Sequence, residues 1–282
     1  MATLYSPGQR GFDKRFTAVD RCQVTLLREL TAQHADRLIL KGGMAMRAVF
    51  GSLRLTKDID FDRDDTIGQK TLEAGLVRSL MRAAQISRLR EATANITKST
   101  PTTIRARLYG TLDSAEIRFD VEVSGRGAAP APYRRTELIV PPPEYSLAPF
   151  QICTYNNDAI AAMKIAAALS LQRNAPRDLY DLRDLIRAGA NPIDILSKQP
   201  PEVLRDYAER SLGKLEGLTF ALAKDELMPY LPPEEREQLT EETWLEATLF
   251  VAQGIESWCQ EALANQERGD GDGHHRPLRG AK

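Results

Sequence analysis

Leu40-Lys-Gly-Gly-Met-Ala-Met46 and Arg54-Leu-Thr-Lys-Asp-Ile-Asp-Phe61 carry two different periods inside one short unit. Upstream, Arg37-Leu-Ile-Leu-Lys41 is brief and apolar, which predicts a buried strand. Gly42-Gly43 breaks it, and Met44 to Phe50 can form a short helix closed by Gly51. Asp58-Ile-Asp-Phe-Asp62 then alternates polar and apolar, the pattern of a second strand.

Chemistry follows from that order. Asp58 and Asp60 are two apart on a strand, so their carboxylates point to one face. Adjacent carboxylates repel unless a cation lies between them, and a hard oxygen site of this kind suits Mg²⁺ or Mn²⁺. Phosphoryl chemistry uses such ions, often two about 3.5–4 Å apart. A strand, a Gly-Gly turn and a helix start place free backbone N–H groups where a phosphate can be cradled. Gly42 and Gly43 are the candidate cradle for an NTP, with Arg54, Thr56 and Lys57 just ahead of the acids. On its own an Asp-x-Asp is more often a solvated strand end. The cradle and the metal pair together are far more specific.

Working outward, apolar positions at Phe16, Val19, Val24, Leu27 and Leu30 predict a helix over 13–33. Residues 68–84 also read as helix, with Leu72, Leu76, Leu80 and Met81 on one side. Residues 102–109 and 115–124 predict an antiparallel pair turning near Leu112-Asp113-Ser114. In the second run Ile117, Phe119, Val121 and Val123 share one face, and Arg118, Asp120 and Glu122 the other. Asp120 or Glu122 is therefore available as a third metal carboxylate. The alternative is a polar outer face paired with Arg118.

Pro141, Pro142, Pro143 and Pro149 demand an extended connection, which places a boundary between a core of residues 1–145 and a helical domain of residues 150–265. Residues 266–282 are polar and Gly-rich and predict a disordered tail. Within the helical half, Lys164 is the only charge between Ala159 and Leu171, in a helix predicted from Asp158 to Arg173. Asn174-Ala-Pro176 predicts a cap and a new helix, whose Asp178 and Asp181 share a face. A lysine at a core edge and acids in a first helical turn have ordinary structural uses as well.

The 282 residues carry a net charge of −1, unevenly spread. Residues 76–112 hold seven bases (Arg78, Arg82, Arg88, Arg90, Lys98, Arg105, Arg107) against Glu91, while residues 200–250 hold twelve acids and five bases. A polyanion such as RNA is thus expected on one face only. Cys22, Cys153 and Cys259 are too scattered for a disulfide framework or a zinc site, which fits a reducing cytoplasm. No stretch predicts a membrane span or a signal peptide.

The Gly-Gly turn followed by Arg54-Leu-Thr56-Lys-Asp58-Ile-Asp60 resembles the AbiEii/AbiGii nucleotidyltransferase toxin family. Lys164 and Arg177-Asp-Leu-Tyr-Asp181 look like that family's downstream lysine helix and its Arg-Asp-x-x-Asp. The resemblance spans residues ~37–188. It implies an α+β fold: a polymerase-β-like core, with a small mixed or antiparallel sheet and helices, followed by an α-helical domain. It also implies NMP transfer from NTP, a cognate antitoxin, and an RNA acceptor, since related mycobacterial toxins extend tRNA 3′ ends and block translation. Carried over, Gly43 would hold the triphosphate, Asp58 and Asp60 the metal, and Lys164 and Asp178 the nucleotide and reaction geometry. The chain departs at Met44, where the family has Ser or Thr. A protein or metabolite acceptor, or a non-catalytic binder of the same fold, remains open as an alternative.

Overall fold

The computed structural model describes residues 1–64, 66–113 and 115–272. The chain divides into two units, residues 1–156 with 228–239, and residues 157–227 with 240 onward. The first unit opens with β1 (Ala2–Thr3), α1 (Lys14–His34), β2 (Leu38–Lys41), α2 (Gly42–Ala48), β3 (Ile59–Arg63) and α3 (Gln69–Ile86). It continues through β4 (Arg90–Thr100), β5 (Thr103–Leu112), β6 (Ala115–Ser124), β7 (Arg134–Val140) and β8 (Phe150–Tyr155). These strands make one mixed sheet in the order β1-β7-β8-β2-β3-β6-β5-β4.

Alternation in β3, β5 and β6 explains the core. Ile59, Phe61, Ile104, Ala106, Leu108, Ile117, Phe119, Val121 and Val123 are at most 1% exposed. They form the inward face, against which α1 and α3 pack with Val24, Leu27, Leu30, Leu72, Leu76 and Leu80. Met81 does not join them. It is 38% exposed, one position round the helix from Leu80. Helix α1 starts where Asp13 caps it, accepting the Phe16 N–H at 2.9 Å.

The domain boundary falls at Asn156, later than the proline-rich stretch suggested. Strand β8 lies beyond those prolines yet pairs with β2 and β7, so hydrogen bonding returns it to the core. Within that stretch Pro143–Tyr145 form a single 3₁₀ turn that buries Tyr145. The β5–β6 turn lies where expected, although Ser114 is outside the described residues.

The second unit holds α4 (Asn157–Ala168), α5 (Pro176–Arg187), α6 (Ile193–Leu196), α7 (Pro201–Glu216) and α8 (Phe220–Glu226). Helix α9 (Pro233–Gln238) belongs to the first unit, and α10 (Glu241–Asp272) closes the chain within the second. Helix α4 ends at Ala168, short of the expected Arg173. Asn174 does not cap α5. Ala175 occupies that position, and the Asn174 amide oxygen instead accepts from Lys214 Nζ at 2.7 Å. Helix α10 passes so close to α5 that a Cβ on Gly254 would lie 2.7 Å from Ile186 Cδ1. Residues 266–272 belong to α10, correcting the start of the expected tail. Gln266 Nε2 ties the helix to the Ser197 and Gln199 carbonyls at 2.9 and 2.8 Å. Residues 273–282 lie outside the described residues. No described helix is long and apolar enough to cross a membrane. Cys22, Cys153 and Cys259 are buried free thiols.

Candidate active site

The outward face of the sheet is built from the alternate residues of the same strands. Asp60 pairs in register with Lys41 on β2 and with Glu122 on β6, so these three side chains share that face. Asp58 stands at the mouth of β3, one residue before its first paired position. Its Oδ1 accepts the Asp120 backbone N–H at 3.3 Å, fixing it against β6.

The Gly-Gly turn serves this cluster by having no side chains. Gly42 has φ +66°, a left-handed conformation, and a Cβ there would fall 2.4 Å from Asp60 Oδ2. A Cβ on Gly43 would fall 2.6 Å from Thr56 Oγ1 and 3.0 Å from an Arg54 guanidinium nitrogen. Thus Arg54, Thr56 and Asp60 all press on the start of α2, and the two motifs interlock. Arg54 is 2% exposed, and its guanidinium donates to the Leu55 carbonyl at 3.2 Å. Thr56 Oγ1 donates to the Asp58 carbonyl at 3.0 Å. Met44 is fully buried, so its side chain belongs to the core.

Several supporting residues carry no sequence signal. Gln23 of α1, 1% exposed, donates to the Thr56 and Lys57 carbonyls, each at 3.3 Å, and so holds the segment before Asp58. Asp62, one turn of the pleat beyond Asp60, accepts from Lys41 Nζ at 2.5 Å and from the Tyr155 hydroxyl at 2.8 Å. Helix α2 is anchored by Arg47, 1% exposed, whose guanidinium grips the buried Asp20 with two contacts of 3.2 Å. Tyr145 donates to the same Asp20 carboxylate at 2.7 Å. A buried charge satisfied on every side in this way fixes the helix geometry.

Both candidate third carboxylates are gripped by arginines of β5. Arg107 reaches Asp120 with contacts of 2.6 and 2.8 Å, and Arg105 reaches Glu122 with contacts of 3.0 and 2.5 Å. The expected partner of this face, Arg118, is not the residue that binds Asp120. Register decides the matter, since Arg107 is directly opposite Asp120 while Arg118 faces Tyr109. The Arg107 hydrogen bond holds the Asp120 carboxyl below the usual carboxylate range, with Arg105 and Arg118 adding to the effect. A cavity of about 370 Å³ opens here, with Lys57, Asp58, Arg107, Arg118 and Asp120 on its wall. Glu122 and Asp60 are not part of that wall.

The oxygen donors are of the right kind for a hard divalent ion, and Asp58 and Asp60 supply two. Among the described residues, no group of three or more His, Cys, Asp or Glu side chains is placed to hold an ion. Mg²⁺ is commonly bound through one or two carboxylates, keeping waters and taking its remaining ligands from substrate phosphates, and a carboxylate pair fits that pattern.

In the second unit, Lys164 on α4 and Asp178 and Asp181 on α5 form one buried cluster. Lys164 Nζ lies 2.8 Å from Asp178 and 2.6 Å from Asp181, and Arg173 lies 2.6 Å from Asp178. Both acids are fully buried and Lys164 is 7% exposed. Burial acts to raise the Asp178 pKa. Lys164 and Arg173 outweigh it and bring the pKa down to about 2. The basic run of residues 76–112 does not stay together as a rim. Arg105 and Arg107 are spent on acids, Arg82 pairs with Glu29 at 2.7 Å, and Arg78 lies beside Met81 and Leu89 in a groove along α3.

Two solved chains share this fold. JHP933 from Helicobacter pylori aligns with a TM-score of 0.52 and 18% identity, over 93% of this chain and 97% of its own. A second H. pylori chain, described as a candidate nucleotidyltransferase, aligns with a TM-score of 0.51 and 17% identity, over 91% and 98%. None of the curated proteins matches. The mixed sheet with its Gly-Gly turn and strand-borne acids is that of a nucleotidyltransferase. The model of the nucleotidyl transferase AbiEii toxin, from type IV toxin–antitoxin systems, matches residues 25–261, and the chain belongs to that family.

Proposed function

We propose that the protein transfers a nucleoside monophosphate from an NTP to a hydroxyl of RNA, at the tRNA 3′ end, and so blocks translation in the cytoplasm until a cognate antitoxin counters it. One observation carries the reading: Asp58 and Asp60 are held, half-buried, between the Gly42-Gly43 turn and a cavity large enough for a reacting group. Bound Mg²⁺ or Mn²⁺ would neutralise charge on the transferring phosphate and lower the pKa of the attacking hydroxyl. Asp58 and Asp60 are the residues that would hold it. Asp120 is preferred to Glu122 as the third carboxylate, because it stands in the same cavity wall as Asp58. The Gly42-Gly43 backbone, Arg54 and Thr56 position the triphosphate side of the NTP, and Lys57 faces the cavity on the other side. Lys164 and Asp178 act as positioning residues, because their charges are consumed within a buried cluster.

Incubation with each α-labelled NTP, Mg²⁺ and total RNA tests the proposal. Label is expected on RNA of tRNA size, at its 3′ end. Label on protein or on small molecules would move the acceptor to those classes. Absence of transfer with all four NTPs and either metal would favour a non-catalytic binder.

A further inference from the structure

The cavity beside Asp58 is more basic than the acids it contains require. Arg15 of α1, Lys57 and Arg118 of β6 line it together with Asp58, Glu116, Asp120 and Arg107. Arg107 is committed to Asp120, at 2.6 Å. Arg15 is oriented by a backbone contact, its Nε donating to the Glu116 carbonyl at 3.2 Å, so its charge is not neutralised by that bond. Among the described residues, Arg15, Lys57 and Arg118 make no ion pair with a carboxylate within 4.0 Å. All three are exposed. Four cations from separate segments (Arg15, Lys57, Arg107 and Arg118) therefore share one concave space with three acids (Asp58, Glu116 and Asp120), which leaves positive charge in excess and three of the cations outside any ion pair. Like charges gathered in this way are unfavourable unless an anion joins them.

The location narrows the anion. In the sheet, β3 lies between β2 and β6. The Gly-Gly turn follows β2 and meets Asp60, whereas the cavity is on the β6 side and meets Asp58. The acid pair thus has a phosphate-handling backbone on one flank and a cationic cavity on the other. Transfer brings the phosphate under attack and the acceptor hydroxyl to such a pair from different sides, and with an RNA acceptor both partners are polyanions. We infer that the cavity walled by Arg15, Lys57 and Arg118 is the subsite for a backbone phosphodiester of the acceptor strand, seated next to its reacting hydroxyl. The subsite rests on the RNA-transfer reading above. It accounts for the acceptor side, which the dispersed basic run of α3 and β4 does not.

The experiment compares wild type with the Arg15→Ala/Arg118→Ala double variant and the Arg15→Lys/Arg118→Lys double variant. Binding of a fluorescent single-stranded oligoribonucleotide and of a fluorescent ATP analogue is measured from 50 to 200 mM salt. Each phosphate contact with a single strand contributes about 0.7 to the slope of log K against log salt. The Ala pair should weaken oligoribonucleotide binding roughly tenfold and flatten that slope by about one contact. It should leave ATP-analogue binding within twofold of wild type, and the Lys pair should restore most of the RNA affinity. Circular dichroism and thermal melting confirm that both variants fold, as expected for exposed positions. RNA binding unchanged in the Ala pair overturns the subsite alone. An equal loss for the ATP analogue also overturns it, because the cavity would then belong to the triphosphate. Wild-type protein that binds ATP analogue but no RNA at any salt removes the RNA acceptor and the subsite together.

Discussion

The two acid clusters of this protein are chemically similar and physically opposite. On the sheet, Asp58, Asp60 and Asp120 are only partly buried, and the space beside them is open. In the helical unit, Asp178 and Asp181 are fully buried and share Lys164, with Arg173 closing the group. A buried ion cluster with every charge matched has no capacity left for a substrate, and its use is to fix α4 against α5. A part-exposed set of acids tied through backbone N–H groups and exchangeable arginine pairs can still take a cation or a phosphate. Residue type alone does not separate chemistry from architecture. The degree to which the surrounding structure has already satisfied the charge does.

The sharpest way to break that contrast is at Asp58. Asp58→Asn or Asp60→Asn should lower transfer on the order of 10³-fold or more, the rate equivalent of losing several kcal/mol of charge stabilisation. Thermal stability should hardly change, because both positions are half-exposed. Near-normal transfer at equal protein and Mg²⁺ would end the metal reading.

Asp178→Ala should act mainly through stability. It leaves Lys164 with one buried partner instead of two, and breaking a buried pair costs about 3–5 kcal/mol. Urea unfolding measures this directly. Wild-type stability combined with lost transfer would return Asp178 to the chemistry.

A smaller effect distinguishes the two acids of β6. Asp120→Asn should reduce transfer by about 10–100-fold, the range for residues that tune a metal site, while Glu122→Gln stays within a few-fold. Equal losses would mean that both act, and the reverse order would make Glu122 the third carboxylate. The exposed Arg105–Glu122 pair should contribute no more than about 1 kcal/mol to stability.

The smallest signal is in the acid limb of stability. Asp178 has a folded-state pKa depressed from 3.8 to about 2. Its contribution is therefore complete above its ordinary value and is lost as pH falls toward the folded value. Wild-type stability should drop between about pH 4 and pH 2, and Asp178→Asn should flatten that drop. Parallel curves for the two proteins would contradict the coupling to Lys164 and Arg173.

Local pattern determined a good part of this protein. Alternation at Asp58 to Asp62 and at Ile117 to Val123 determined which residues face the core and which face out, because a strand has a fixed period of two. Gly42-Gly43 and the Arg54-x-Thr56-x-Asp58-x-Asp60 motif pointed to the candidate site, because few other uses require those residues at that spacing. Tertiary structure alone decided the partners. That Arg107 takes Asp120 and Arg105 takes Glu122 follows from the β5–β6 register, a long-range pairing that no local window encodes. The return of β8 to the sheet across four prolines depends on hydrogen bonds to β2 and β7. Arg15 comes to Lys57 and Arg118 only through packing of α1 on the sheet, so three scattered cations became one cavity wall. Charge gains its meaning here from what stands within a few ångströms, and distance along the chain carries almost none of that information.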